Sequence, residues 1–473
     1  MSYIRLNKHY IHQHFVVLGA VETCLLIGVA WVAQHLQLLL LDASPGWSLS
    51  LGELAPLLLF AFILSCCTLS MGVYIALVRE GYASMVLRTL VSFFLLGSLS
   101  LYFVNLLAGG DFIDRSLVFW GVLAATFVVF CVRALFLGFV DTANLRRRVL
   151  VFGAGQRAQA LLTELEAGSS RLGVRVVGCV ASAGDEIKVA AHLVRTEPSD
   201  WVDYVKREQI SEIVIAPDES RRQSQGAGLP VNELLDCKVA GVGSTDVLSF
   251  CERELNRIDV DMLRPSWLLF SDGFKNSKRH LFIKRAFDLV VSLLFLAVLW
   301  PFMLLTAIAV KLESPGSVLY SQERVGLNGR VFKIYKFRSM RQDAEKAGQA
   351  VWAQKNDARV TRVGAFIRNT RLDELPQLYN VIMGHMSFVG PRPERPQFVE
   401  QLIEEIPFYS TRHKVKPGLM GWAQLKYPYG ASVEDAKNKL EYDLYYAKNK
   451  SFFMDMLILV QTVEIILLGK GVH

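Results

Sequence analysis

The sequence predicts a membrane α/β protein in three parts: a four-helix bundle over residues 1–145, an α/β unit over 146–270, and a second α/β unit over 271–473. Three observations predict it. Of the 473 residues, 52% are hydrophobic and 20% charged, and the mean hydropathy is +0.31, a balance soluble domains rarely reach. Long apolar runs crowd the first third of the chain and return near residue 295. Between them, β-rich runs alternate with helical runs, the pattern of strands joined by crossover helices.

Four apolar segments, at about 15–41, 54–78, 86–107 and 117–140, are each long enough to cross a bilayer. Their connections alternate in charge. Arg5 and Lys8 precede the first, Asp42–Glu53 carries no Lys or Arg, and the Arg79–Arg88 turn is basic. Gly109–Ser116 sets one Arg beside two Asp, and Arg146, Arg147 and Arg148 close the bundle. Positive charge stays on the cytoplasmic side, so both ends of the bundle belong there. Glu22 stands alone inside the first segment and reads as an interhelical contact rather than a proton relay. No cleavable signal peptide is expected, because the first apolar run lacks a small-residue cleavage site and runs too long. Of seven cysteines, Cys24, Cys66, Cys67 and Cys131 lie in apolar runs, and the rest show no CxxC spacing that would suggest zinc.

In the second part, Val149-Leu-Val-Phe-Gly-Ala-Gly-Gln-Arg-Ala158 is a strand followed by G-x-G-x-x-A and a helix. Further strands at Val174–Val180 and Glu212–Ala216 predict a parallel, Rossmann-like sheet facing the cytoplasm. Gly153, Gly155 and Arg157 form a candidate nucleotide loop. The second strand ends without the acid that would hold a ribose, and Asp185 comes too late. A regulatory or assembly role fits the same residues.

Within the segment at about 281–312, an apolar stretch at about 289–310 is also long enough to cross. Its flanks are both basic, with Lys278, Arg279, Lys284 and Arg285 before it and Lys311, Arg324 and Arg330 after it, which a crossing helix should avoid. Pro301 sits midway, where it removes a helix hydrogen bond. A re-entrant helix broken at Pro301, returning to the cytoplasmic face, meets these constraints; a fifth crossing is the alternative. Cations at its mouth would be placed to hold lipid phosphate. The apolar runs after residue 451 are interrupted by Asp455 and Glu464 and read as surface or packing helices.

Chemistry concentrates at Arg371-Leu-Asp-Glu-Leu-Pro-Gln377. Pro376 favours a first helical turn, so a helix is expected from about Leu372 with Asp373 and Glu374 in its opening turn. There they either cap the helix or serve an anion-binding corner, Asp373 as a nucleophile toward phosphorus and Glu374 as a magnesium ligand. On an α-helix the two would lie about 100° apart and could not share one task. Val389-Gly-Pro-Arg-Pro-Glu394 holds Arg392 on a stiff turn. Ser321–Gly329, Lys333–Met340 with Lys336 and Arg338, and Lys416-Pro-Gly-Leu-Met-Gly-Trp-Ala-Gln424 complete the ordered set.

Together these motifs resemble the bacterial sugar transferase family, the polyprenyl-phosphate phosphoglycosyl transferases, over roughly Lys284 to the carboxyl terminus. Weaker likeness, including Pro265-Ser-Trp-Leu-Leu-Phe-Ser-Asp-Gly273, extends toward the amino terminus and matches the large polytopic members that initiate exopolysaccharide synthesis. The resemblance implies a monotopic catalytic part and a bacterial inner-membrane enzyme facing the cytoplasm. Its substrates would be a UDP-sugar, glucose or galactose foremost, and undecaprenyl phosphate, with Mg²⁺ as cofactor. It gives Asp373 and Glu374 the same two roles and makes Arg392 the substrate-contacting arginine. Arg338, Arg368 and Arg371, with Lys336, are further phosphate partners, or fold-stabilising ion pairs. The family usually carries an acid after Gly384, where this chain has His385, read as a loop residue. A homodimer is compatible with the size of the α/β unit. The net charge of +7 fits anionic lipid and substrates; nucleic acid is not expected, since the basic residues flank apolar spans. A membrane-anchored NAD(P)-dependent sugar oxidoreductase or epimerase, or a non-catalytic polysaccharide assembly protein, stand as alternatives.

Overall fold

The computed structural model describes residues 3–6, 9–40, 51–74, 82–108, 113, 115–139, 146–167, 173–182, 185–218, 229–274, 277–341, 359–428, 430 and 432–468. The loop residues whose charges argue the topology, at 42–50, 75–81, 109–112 and 140–145, lie outside them. The chain divides into two compact units, Met1–Glu254 and Leu255–His473. The sequence places that boundary at 270. The intervening residues instead belong to the second unit, where the Ile258 N–H donates to the Glu441 carbonyl and Trp422 Nε1 to the Asn256 carbonyl.

In the first unit, strands β1 (Tyr3–Leu6) and β2 (His9–His12) form a short antiparallel pair. Helices α1 (Gln13–Leu40), α2 (Leu51–Ser70), α3 (Tyr82–Leu90), α4 (Ser98–Leu107) and α5 (Arg115–Phe139) follow, with a π-helical stretch, Val91–Gly97, joining α3 to α4. Phe15–His35, Tyr82–Leu107 and Val118–Gly138 are long and apolar enough to cross a membrane; the described apolar part of α2, Leu54–Ser70, is shorter. Leu26, Leu57, Phe60, Leu64, Phe93, Leu101 and Val129 bury a common seam. Glu22 is not alone. Arg133 donates to both its oxygens at 2.7 Å and to Thr89 Oγ1 at 2.6 Å, and Tyr74 donates its hydroxyl to the same carboxylate at 2.7 Å. The arginine on α5 escaped notice because nothing local pairs two residues 111 positions apart.

The same unit carries a five-stranded sheet of β3 (Arg147–Phe152), β4 (Val174–Val180), β5 (Val194–Arg195), β6 (Glu212–Ile215) and β7 (Gly243–Asp246), in the order β5-β4-β3-β6-β7. Every pairing is parallel, as the crossover helices α6 (Gln156–Ala167), α7 (Trp201–Arg207) and α8 (Val231–Val239) require. Strand β3 is almost wholly buried, which explains its unbroken apolar run. At the other end of the sheet, Arg147 reaches Glu212 and Glu254, a buried network joined by Arg253, which lies in α9 (Val247–Leu255).

The second unit opens with α10 (Pro265–Phe270) and the 36-residue α11 (Lys278–Glu313). The helix runs through Pro301 without interruption, so the expected division into two helices is absent: proline removes one hydrogen bond, and the apolar turns on both sides continue. An antiparallel hairpin, β8 (Leu319–Val325) and β9 (Val331–Phe337), follows, then α12 (Arg362–Asn369), α13 (Gln377–Ile382), β10 (Ser387–Val389) and α14 (Pro396–Glu405). Strand β11 (Gly418–Met420) pairs parallel with β10, and α15 (Trp422–Lys426), α16 (Val433–Asn449) and α17 (Phe452–Leu468) close the unit. Gly390 and Gly418 are dictated by that pairing, since a Cβ on Gly390 would stand 2.2 Å from the Lys416 carbonyl oxygen and one on Gly418 2.1 Å from Gly390 N. Helix α17 packs as expected, burying Ile458 in the core and Asp455 against Lys284.

Removing one member of the Glu22–Arg133 pair strands the other in an apolar bundle. Arg133→Leu should destabilise the protein by about 3 kcal/mol, whereas Glu22→Leu/Arg133→Leu should recover most of it. Melting of the detergent-solubilised variants checks this, and a double variant as unstable as the single one would refute it.

Candidate active site

Helix α12 ends where Arg371 takes a left-handed conformation, φ 60°, uncommon for a residue with a Cβ. This reverses the chain into a 3₁₀ turn, Leu372–Glu374, held by Glu374 N–H to Arg371 O and Leu375 N–H to Leu372 O. Pro376 follows as the cap of the six-residue α13. The two acids therefore precede the α-helix instead of opening it, and a six-residue helix offers little dipole. Side chains supply the positive charge. Leu372 anchors the turn against an apolar cluster of Val310 from α11, Phe337 from β9 and Ile367 from α12.

Glu374 Oε1 accepts from Lys336 Nζ and from Arg392 Nη2, both at 2.8 Å. Burial opposes the Glu374 charge, but Arg392 and Lys336 outweigh it and hold the carboxyl far below its ordinary range. Burial pushes the Lys336 ammonium down, and Glu374 raises the already high Arg392. Asp373 is different. It is 7% exposed, and its Oδ1 is buried with no hydrogen-bond partner. Burial, then the neighbouring Glu374 charge, push its carboxyl up against the pull of Lys336, Arg371 and Arg392. The adjacent acids have opposite electrostatic fates: Glu374 is held as an anion, and the carboxyl of Asp373 is shifted toward its neutral form by burial and by Glu374.

Further groups, among them buried Asn380 and Arg412 that the sequence did not single out, position this cluster. Asn380 donates to the Lys333 carbonyl and accepts from Tyr335 N–H, fastening β9 and hence Lys336 to α13. Arg412 donates to the Arg392 carbonyl at 2.9 Å, to Asp443 at 2.8 Å and to the Tyr409 hydroxyl at 2.6 Å. Arg324 donates to the Pro393 carbonyl. The proline-flanked turn thus has two successive carbonyls tied from behind.

Of the expected phosphate partners, the structure brings Lys336 and Arg392 to the acids. Arg371 is exposed beside them, and Arg368 is half-buried on α12. Arg338 lies elsewhere: it donates to the Ser314 and Pro315 carbonyls and to Ser314 Oγ, holding the end of α11, so its expected substrate contact gives way to a structural one. Lys284 and Arg285 are likewise engaged, Lys284 with Asp455, Tyr446 and the Val389 carbonyl, and Arg285 with the Val381 and Ile382 carbonyls that end α13. They lock α11 to the fold. His385 is an exposed loop residue whose ring lies 5.9 Å from that of Phe332. Gly153, Gly155 and Arg157 belong to the other unit.

Comparison with known proteins bears on this cluster. The family model described as bacterial sugar transferase matches residues 279–469, which hold α11 and both acids. A UDP-glucose:undecaprenyl-phosphate glucose-1-phosphate transferase of Klebsiella pneumoniae is 34% identical over 378 residues, 77% of this chain and 78% of its own. The chain belongs to the bacterial sugar transferase family. An N-acetylgalactosaminephosphotransferase of Aeromonas hydrophila acting with undecaprenyl phosphate is 44% identical over 238 residues, half of this chain and 55% of that relative's length. An exopolysaccharide production protein of Rhizobium leguminosarum bv. phaseoli is 47% identical over 197 residues, 40% of this chain and 98% of its own. The family match begins near the start of α11, and the five-stranded sheet lies outside it.

An acid held so firmly anionic is a poor proton acceptor near neutrality, which leaves Glu374 electrostatic or metal-binding work. If Asp373 acts as a nucleophile it must be ionised, so the acid limb of the rate profile should lie above the ordinary aspartate range. Lys336→Met, which removes a charge that lowers the Asp373 pKa, should move that limb to higher pH. Because the raised pKa makes ionised Asp373 a stability cost, absent at low pH and present above its folded pKa, Asp373→Asn should melt higher than the parent at pH 7. The difference should vanish on acidification. Arg412→Lys keeps the charge but loses the fork, and should reduce kcat by about tenfold or more through misplacement of Arg392. Unchanged turnover would remove Arg412 from the positioning set.

Proposed function

We propose that this chain transfers a sugar-1-phosphate from a UDP-sugar to undecaprenyl phosphate, the first step of exopolysaccharide assembly, through a covalent intermediate on Asp373. The observation that carries it is the buried, unpartnered Asp373 Oδ1 beside a carboxylate clamped by Lys336 and Arg392. Asp373 attacks the phosphorus that bears the sugar, the bond to the bridging oxygen breaks, and UMP leaves. A phosphate oxygen of the lipid then attacks the same phosphorus and returns Asp373 as carboxylate. Arg392 and Lys336, fixed before substrate arrives, neutralise charge on the phosphoryl oxygens without having to reorganise. Glucose and galactose lead as the sugar, with N-acetylgalactosamine raised by the relatives whose names specify it.

Glu374 fits a magnesium ion: it is held ionised, and both protein cations take Oε1, so Oε2 is the donor it would offer. Among the described residues no third acid, histidine or cysteine joins it, so substrate phosphate and water would complete the shell. When bound, the ion supplies charge neutralisation to the diphosphate.

The catalytic unit rests on the cytoplasmic face of the inner membrane, with α11 re-entrant through a bend at Pro301 instead of a break there. Both ends of α11 bind one polar fold, Asp288 accepting from Ser387 Oγ and Phe388 N–H and Glu313 from Val363 N–H. Along α11, Phe295 lies 5.8 Å from Phe388, and Val310 shares a cluster with Phe337 of β9. A crossing helix would set Asp288 and Glu313 on opposite sides of about 30 Å of hydrocarbon, which this polar fold cannot bridge. In a cysteine-free background, Glu404→Cys, exposed on α14, should resist a membrane-impermeant maleimide in intact spheroplasts and react after lysis. Labelling from outside would sink this topology. The Rossmann-like sheet unit faces the same compartment, and the complete enzyme is compatible with a homodimer.

Enzyme mixed with UDP-[¹⁴C]glucose or the corresponding galactose or N-acetylgalactosamine donor and Mg²⁺, without lipid, should release UMP and retain label on protein. Asp373→Asn should abolish both, and Glu374→Gln should slow both by about a hundredfold. UMP release that waits for undecaprenyl phosphate, with unlabelled protein, would overturn the nucleophile.

A further inference from the structure

The G-x-G-x-x-A loop has an occupant of its own. It leads from β3 into α6, while the segment after β6 brings Ala216-Pro217-Asp218 alongside. Asp218 accepts from Gln156 N–H at 2.6 Å and Arg157 N–H at 2.8 Å, one carboxylate oxygen on each. These are first-turn donors of a twelve-residue helix, the groups that hold pyrophosphate in dinucleotide-binding folds. Gly153, at φ 124°, lets β3 end against Ala216, and a Cβ on Gly155 would stand 2.0 Å from Asp218 Oδ2. The second glycine therefore makes room for a carboxylate where the fold ordinarily admits a phosphate.

Asp185 completes the closure. It accepts from Ala154 N–H at 2.9 Å and Ser182 N–H at 3.1 Å, and its other oxygen accepts from Asp218 N–H at 3.2 Å. The acid that stands too late in sequence to hold a ribose thus folds back to fix the residue that fills the cradle. Arg157 donates to the Pro217 carbonyl, which ties it to the same segment.

We propose that Asp218 is a built-in substitute for pyrophosphate, so that the sheet unit binds no dinucleotide although it keeps the loop for one. A diphosphate entering there meets donors already satisfied and two carboxylates that repel it. The unit is a closed scaffold, its loop serving to join β3, α6 and the end of β6.

Backbone amide exchange read on the peptide spanning Phe152–Ala160 of the full-length protein in nanodiscs tests this away from the catalytic acids. In the parent, Gln156 and Arg157 should be protected, and neither 10 mM inorganic pyrophosphate nor 1 mM NADH should change their rates. Asp218→Ala should accelerate exchange there by about tenfold, as loss of charge-assisted bonds implies, and pyrophosphate should slow it again. Saturable protection of the parent by either probe would overturn the proposal. So would an Asp218→Ala protein that exchanges like the parent. Both readouts are independent of UMP release, so failure here is distinguishable from failure at Asp373.

Discussion

One oxygen atom organises the catalytic unit. Glu374 Oε1 receives Lys336 from the β8–β9 hairpin and Arg392 from the proline-flanked turn, so three segments distant in sequence converge on a single buried charge. Surface ion pairs of this size would contribute little. Here desolvation makes each partner dependent on the others: a lone glutamate would protonate, and a lone lysine would lose its proton or swing to water. The cluster is held by mutual need, which fixes its geometry without a ligand. Asp373 inherits its setting from that arrangement, near enough to cations to ionise yet without a hydrogen bond of its own.

The apolar core and the membrane helix extend the same constraint outward. Leu372 packs against the second half of α11, while the Lys284–Asp455 and Asp288–Ser387 contacts bind the first half. The turn carrying Asp373 therefore shares an apolar cluster with α11. In the proposed reaction a soluble donor and a lipid acceptor meet at one phosphorus, which requires a site registered to the bilayer surface, and this contact with α11 would provide it.

What could be read from sequence follows from how local each feature is. Asp373, Glu374 and Arg392 were legible because prolines and adjacent acids mark them within a few residues. The parallel sheet was legible through its buried strands and glycine loop. Arg338 stayed open between two roles because a guanidinium in a basic, aromatic run looks the same whether it meets phosphate or a helix end, and only the fold brings Ser314 to it. The uninterrupted α11 exceeded the expectation from Pro301, since one lost hydrogen bond among apolar turns does not end a helix. Arg412, Asn380 and Asp218 were invisible for a common reason. Each acts on backbone groups between 20 and 62 residues away, and a peptide group has no sequence signature.

The pair between α1 and α5 bears on how the protein is made. Glu22 leaves the ribosome 111 residues before Arg133, so the first helix reaches the bilayer while its counter-ion does not yet exist. Until α5 emerges, α1 carries an acid with no cationic partner, and lipid is a poor host for it. The order of synthesis thus makes the last helix the latch of the first, and the membrane domain becomes a committed structure only when its final segment has been delivered.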